Sequence, residues 1–461
     1  METTTLEYYA IQLKNIIDSE DDILEKEANM HLLSEELMNS VWCMTIQMKE
    51  NEVKSTLSSE GYKAYKKEER TVQYAHGRMT FVRTPFKKDR NDKPFFPADE
   101  WLELGKYQRN SPGFTAKIMQ IAPDITSYEK TSRVINRLTT NTVSRSTVMR
   151  AVKLYGKRAD EYHKHQEVYP EVVENKDKKK VDKIYIEGDA VCFKKQNGEM
   201  QFVHVFILHD GVETVSNNRK RSKNMLYFVD IRRKKARDRL KSYLQTHYDM
   251  KNIMVIANSD GGSGYEEAVF RDIAGVCNSF EYFIDRYHVS RKLEERVQLE
   301  EFIPLFQQAI NSGELNKLKM VFDTYESNLE TEEQFYHSKK LKNYLIRHWK
   351  HLASFTKRGY NIVKEGIGIM ESQLRHFTYR LKHCGRHWGK GLNGMAQLLA
   401  SQKNGDFKQI YLRTWKSEFS LDDSLRGNMS NRLDLRDMNK FTPHVGVKQG
   451  RLTLPDKKYV R

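Results

Sequence analysis

The sequence predicts a mixed α/β protein, and three observations lead to that class. Between Lys183 and Ile284, three short β-prone runs follow one another and then alternate with helical stretches, the order expected of a mixed sheet with helices on its faces. Residues 1–60 and 296–362, on either side, have few Gly or Pro breakers and carry apolar residues at helical spacing. At 461 residues the chain is too long for one small domain, so a sheet-containing core flanked by helical parts is the natural division.

Taken in order, residues 1–60 read as a helical lead-in, because Leu13, Ile16 and Ile17, then Leu32, Leu33, Leu37 and Val41, recur at helical spacing. Residues 61–110 form a β-hairpin region, with two β-prone runs around His76-Gly77 and a polar, turn-rich loop after Lys87. Residues 111–165 turn helical again: Thr126–Leu138, the polar run Thr139-Thr-Asn-Thr, then Val143–Val152 propose a helix-turn-helix whose second helix Ser144 or Ser146 could cap. Arg145, Thr147 and Arg150 would face a major groove. Residues 126–165 hold nine Lys or Arg, including Arg133, Arg137 and Lys153, against three acids, an excess that suits a phosphate-contacting surface and equally a solvated helix face.

Residues 166–182, with Asn175-Lys-Asp-Lys-Lys-Lys, are a charged linker. The core follows in two parts. Residues 183–295 hold strands at Lys183–Cys192, Phe202–Leu208 and Met225–Ile231, a helix at Lys235–Tyr248, a strand at Asn252–Ala257, a helix at Ser263–Ala274, a strand at Glu281–Ile284 and a helix from Val289. Residues 296–362 are an all-helical insertion, and residues 363–401 return to the core with a helix opened by Glu371, whose Leu374, Phe377 and Leu381 keep helical spacing. Residues 402–461 end in a sparse, polar, basic tail.

The balance of 78 Lys and Arg against 62 Asp and Glu, a net charge of +16, favours a polyanionic partner, with DNA foremost. An aromatic content of 11% marks a folded protein and not a basic disordered one. Four cysteines without a CxxC pair fit a reducing compartment, and the absence of an h-region or of 18 consecutive apolar residues predicts no membrane partner and a cytoplasmic, nucleoid-associated location.

Three acids carry the chemistry. Asp189 in Ile184-Tyr-Ile-Glu-Gly-Asp-Ala and Asp260 in Val255-Ile-Ala-Asn-Ser-Asp-Gly-Gly sit at or just past the ends of apolar strands, where an ionised group is costly unless it serves a metal or a partner. Glu371 opens a helix 111 residues after Asp260. Metal-dependent phosphodiester cleavage needs acidic oxygens that hold two ions roughly 3.5–4 Å apart, and Mg²⁺, or Mn²⁺ in its place, suits a carboxylate set. Taken singly, Asp260-Gly-Gly is also an ordinary turn and Glu371 an ordinary first-turn acid, with Glu365 as its competitor. His383-Cys-Gly-Arg-His387 lacks a partner pair for zinc, and Trp388 reads as core filler before it reads as a base-stacking surface.

The chain resembles the bacterial insertion-sequence transposases of the ISLre type, in the DDE superfamily. The resemblance rests on Ile186-Glu-Gly-Asp189-Ala, Asn258-Ser-Asp260-Gly-Gly-Ser-Gly-Tyr265, Phe283-Ile-Asp285-Arg-Tyr-His288, and Glu371-Ser followed by Arg380-Leu-Lys and Trp388-Gly-Lys-Gly, in order across roughly residues 60–400. It implies an RNase H-like core, Asp189, Asp260 and Glu371 as a metal-binding catalytic triad holding two Mg²⁺, and the helical stretch before Glu371 as an insertion domain. It implies Asp285 and His288 as an accessory Asp-x-x-His element, with a helix-capping role for His288 equally open. The implied activity is cleavage of element ends and strand transfer into target DNA by a homo-oligomer assembled on DNA. Two alternatives stand beside it: a non-catalytic DNA-binding regulator derived from such an enzyme, and an RNase H-like nuclease that does not transpose.

Overall fold

The structure is a computed structural model that describes residues 5–216, 219–353, 356–359, 367–382 and 387–418. Two compact units divide the chain, one drawn from Met1–Arg158 and from Lys408 onward, the other from Ala159–Phe407.

The first unit begins with α1 (Thr5–Asp18) and the 37-residue α2 (Ile23–Ser59), whose start is capped by Asp22 accepting from the Glu25 amide. Four short strands follow: β1 (Lys63–Ala64), β2 (Glu68–Tyr74), β3 (Gly77–Arg83) and β4 (Phe86–Lys87). β2 and β3 form a hairpin in which Tyr74 pairs with Gly77, so Ala75 and His76 are the turn and Gly77 adopts φ +144°. The C-terminal half of α2 covers this hairpin: Ile46 packs with Val72, Phe81, Ala98 and Leu104. The buried Glu50 carboxylate there accepts from the Thr84 amide at 2.8 Å and the Thr84 hydroxyl at 2.6 Å, so its charge is hydrogen-bonded.

Then come α3 (Pro97–Trp101), α4 (Pro112–Ile121), α5 (Tyr128–Leu138) and α6 (Arg145–Val168). Serines start the last three: Ser111, Ser127 and Ser144 each accept the amide three residues on, at 3.0, 2.9 and 3.2 Å. The turn between α5 and α6 is pinned because Asn136 both donates to the Val143 carbonyl and accepts from the Val143 amide. The division between units falls inside α6, and not within 166–182.

The second unit is mixed α/β. Its strands are β5 (Lys183–Lys194), β6 (Met200–His209), β7 (Val212–Ser216), β8 (Arg219–Ser222) and β9 (Leu226–Asp230), then β10 (Met254–Ser259) and β11 (Ser279–Ile284) after α7 (Arg233–His247) and α8 (Glu267–Ala274) respectively. Five of them form one sheet in the order β11-β10-β5-β6-β9. β10 runs parallel to both β11 and β5, whereas β5, β6 and β9 are successively antiparallel. β7 and β8 make a separate hairpin that apolar pattern does not predict.

The central β5 buries both faces. Ile184 and Ile186 join the main core with Phe206, Leu208, Leu240, Leu244, Val255 and Phe270. Alternation sends Tyr185, Glu187 and Asp189 to the other face, where Tyr185 meets Ile256 and Phe283 and stacks on His209 at 4.9 Å. α9 (Arg286–Arg296), α10 (Ile303–Ser312), α11 (Leu315–Glu326) and α12 (Glu332–Leu352) extend the main core through Phe306, Phe322 and Tyr325. α13 (Met370–Leu381) and α14 (Leu392–Asn404) complete the unit, and Asn404 closes the β9 edge by bonding both the amide and the carbonyl of Tyr227. No described helix is long and apolar enough to cross a membrane.

Candidate active site

Asp189 lies inside β5, with five residues of strand beyond it to Lys194, and not at a strand end as its flanking residues suggest. The reason is asymmetric pairing. β6 pairs with β5 as far as Lys194, but β10 pairs with it only to the Asn258–Glu187 step. Beyond Glu187 one side of β5 is open. Two residues past that step on the two parallel chains stand Asp189 and Asp260, so the register brings them to the same level.

Gly188 lets this segment pack: a Cβ there would come within 2.8 Å of the Phe206 ring and 3.0 Å of Phe270. Asp260 opens a tight loop in which Gly261 and Gly264 take φ +71° and +84°, and its Oδ1 accepts from the Gly262 amide at 2.8 Å. α12 closes over the loop, with His348 near Gly261 and the Tyr344 hydroxyl 3.4 Å from the Asp260 carbonyl.

The turn from β11 into α9 supplies the accessory pair. The Asp285 side chain caps α9 by accepting from the Tyr287 amide, and its own amide donates to the Ser259 carbonyl at the end of β10. One turn on, His288 Nε2 lies 3.9 Å from Asp189 Oδ2 and 3.8 Å from Asp285 Oδ2. His288 is therefore inside the α9 helix between two carboxylates, and the helix cap is Asp285.

Glu371 occupies the first turn of α13. That helix is held by a residue that sequence reasoning misses: the Glu187 carboxylate, fully buried, accepts the amides of Gly368, Ile369 and Met370 at 3.0, 3.3 and 3.1 Å. The first amides of a helix have no intrahelical partner and carry partial positive charge, so a carboxylate is the group that suits them. A signal was available, since an acid two residues from Asp189 in an apolar strand must share its face.

Electrostatics tie these groups together. Burial pushes the Asp189 carboxyl up to about 6; the Ala190 amide opposes this, the charge of Asp260 adds to it, His288 opposes it and Glu371 adds to it. Burial likewise raises Asp285, with the Tyr287 amide and His288 opposing and the charges of Glu187 and Glu371 adding. Behind Asp189 the Tyr265 hydroxyl donates to its carbonyl at 3.0 Å and meets His204 Nδ1 at 2.7 Å. Burial, then Arg233, holds His204 down at about 4, so the ring is neutral near pH 7. Lys292, lowered by burial and raised by Asp260, stands over the Tyr344 ring at 4.4 Å.

Asp189, Asp260, Asp285, His288 and Glu371 thus converge on one side of the sheet. Among the described residues no three His, Cys, Asp or Glu side chains stand in ready metal-holding geometry. The donor set nonetheless fits a hard divalent cation: like-charged carboxylates share a partly buried space, and the proton affinity of Asp189 rises because of them. Glu365, His383 and Cys384 lie outside the described residues, as does most of the basic tail. Trp388 is buried and donates to the Leu381 carbonyl, a core role.

In the first unit, Arg133 and Arg137 lie exposed on α5, and Arg145, Arg150 and Lys153 lie exposed on α6 with Thr147 half-buried beside them. Arg133 is partnered by Glu129 at 3.2 Å.

A family model matches residues 20–413. The chain belongs to the family described as Uncharacterised protein family (UPF0236). Among UPF0236 relatives, one from the vanSb 3′ region of Streptococcus gallolyticus is 31% identical over 426 residues, covering 89% of this chain and 90% of its own length. Another, from Caldanaerobacter subterraneus subsp. tengcongensis, is 25% identical over 352 residues, 75% of this chain and 70% of its own. A third, from the same strain, is 24% identical over 353 residues, 75% of this chain and 70% of its own, and bears eleven locus designations.

Proposed function

We propose that this UPF0236 protein is a DDE-type transposase with an RNase H-like core, acting on nucleoid DNA in the cytoplasm. One observation carries the reading: Asp189 on the central strand, Asp260 just past the neighbouring parallel strand and Glu371 on a helix tied back to Glu187 bear on a common site. Three further facts support it. Three antiparallel strands with two parallel ones added beside the first is the sheet order such a core requires. The helices α10–α12 fall between the second and third acids, where an insertion domain belongs. A relative present at eleven loci of one strain is what a self-copying element leaves behind.

In this reading Asp189, Asp260 and Glu371 hold two Mg²⁺, or Mn²⁺, which when bound would supply activation of the attacking oxygen and stabilisation of the leaving one. The chain's own groups do the arranging. Glu187 fixes where α13 begins and therefore where Glu371 stands. His288 faces Asp189 and Asp285 together and, when protonated, offsets their mutual repulsion. Tyr265 holds the Asp189 backbone from behind. Water and then a DNA 3′-hydroxyl attack phosphodiesters in line, and the exposed cations of α5 and α6 contact DNA phosphates.

End-containing duplex, protein and Mg²⁺ test this directly. Asp189→Asn is expected to abolish end cleavage while retaining end binding. Strand transfer by that variant, or equal cleavage of branched junctions and element ends by the wild type, would overturn the assignment.

A further inference from the structure

Thirteen of the thirty large hydrophobic side chains that the described residues expose lie between Leu6 and Met48. Their spacing is specific. On α1, Leu6, Ala10, Leu13 and Ile17 are all exposed and follow one another by four, three and four residues. On α2, Leu37, Val41, Met44 and Met48 repeat the same steps, again all exposed. That 4-3-4 pattern is the seam of a helix packed against another helix, and no described element covers either seam.

The two seams face the same way. α1 and α2 are antiparallel and joined by four residues, with the Tyr9 hydroxyl 2.8 Å from the Ser40 hydroxyl and Lys26 reaching the Ile17 carbonyl. At 100° per residue, the α1 seam is centred about 70° around the helix from Tyr9, and the α2 seam about 70° from Ser40 in the same rotational sense. Reversing the direction of one helix turns equal rotations into displacements toward one common side. The opposite side of α2, with Cys43, Ile46 and Glu50, covers the β2–β3 hairpin. The α1–α2 pair is thus a layer with one face used and one apolar face open.

We propose that a second copy of this chain covers that face, the two α1–α2 pairs forming a four-helix bundle about a two-fold axis. The occupant follows from the pattern: an open pair of heptad seams needs two further seams of the same spacing, and a two-fold mate presents them. Contiguous apolar surface of this extent is also more than a monomer ordinarily leaves in water. The dimer forms without DNA and independently of any catalytic reading of the other unit.

Sedimentation equilibrium of the full chain at micromolar concentration, without DNA, tests this. The expected mass is twice the 54.4 kDa of one chain. The double variant Val41→Glu, Met44→Glu is expected to sediment as a monomer with unchanged helical circular dichroism, because both side chains are exposed within the chain. Val276→Glu, exposed elsewhere, is expected to leave the dimer intact. A monomeric wild type, or a dimer that survives the double substitution, overturns the proposal; unfolding of the double variant redirects the same test to Leu13→Glu on α1.

Discussion

The Glu187 side chain accepts the Met370 amide at 3.1 Å across 183 residues of sequence, with the Gly368 and Ile369 amides on the same carboxylate. One acid of the Ile-Glu-Gly-Asp run thereby anchors the helix that carries Glu371, while its neighbour two residues on faces Glu371's charge. Separated segments are joined into a site by a helix terminus and the one buried group suited to it.

Replacing Glu187 with Gln keeps the volume but removes the charge and all but one acceptor oxygen. A cost of about 2 kcal/mol is expected, since hydrogen bonds to charged groups contribute roughly 1.5–3 kcal/mol each and some are retained. Hydrogen exchange should accelerate selectively at residues 367–372, with little change in β6 or β9. Uniform acceleration across the sheet, or none at the helix start, would contradict the anchoring role.

Asp189 sets a pH dependence. Its folded pKa is about 6, against roughly 3.9 in an unfolded chain. The native state therefore binds this proton more tightly, and the stability it contributes is fully present below about pH 4 and lost as pH rises through about 6. Asp189→Asn should then be more stable than wild type by about 2 kcal/mol at pH 8 in chelator, the difference vanishing near pH 4. Adding Mg²⁺ or Mn²⁺ at pH 8 should raise the wild-type melting temperature and leave the variant unmoved. Denaturant melts at several pH values measure the first effect and thermal melts the second; parallel curves for the two proteins would refute both.

Gly188 is predicted to be intolerant of a methyl group. Gly188→Ala presses on Phe206 and Phe270 and should cost about 1–3 kcal/mol. Combining it with Phe206→Leu should return part of that loss, by a double-mutant cycle. Additive losses would show that pressure on the ring is not the cause.

For DNA binding, Arg145, Arg150 and Lys153 are exposed on α6, so Ala at each should leave the fold intact. Each cation that neutralises a DNA phosphate adds about 0.9 to the log-log salt slope. The triple variant should therefore bind more weakly and with a slope shallower by about 3. Unchanged affinity and slope would remove α6 from the phosphate-binding surface.

Much of this is legible in local pattern. Strand and helix positions in the second unit follow from apolar period, and Asp260 and Glu371 stand where turn and helix signals put them. The polar flank of Asp189 puts it at a strand end, yet β5 continues: a neighbouring strand, not the residue's own propensity, decides how far pairing extends. β7 and β8 escape prediction because a short exposed hairpin has no apolar alternation to read. The capping of α13 from β5 has no local signature at all.

Side-chain chemistry and periodicity are properties of neighbours along the chain, so residue types, element types and the candidate acids can be read there. Which acids share a site depends on strand register and on loop closure over more than a hundred residues. Those are set by long-range pairing and burial, such as β10 stopping at Glu187 while β6 runs on and Glu187 meeting the start of α13. The outward seams of α1 and α2 divide in the same way. Their spacing is written in the sequence, and their exposure on one common face follows from how the two helices pack.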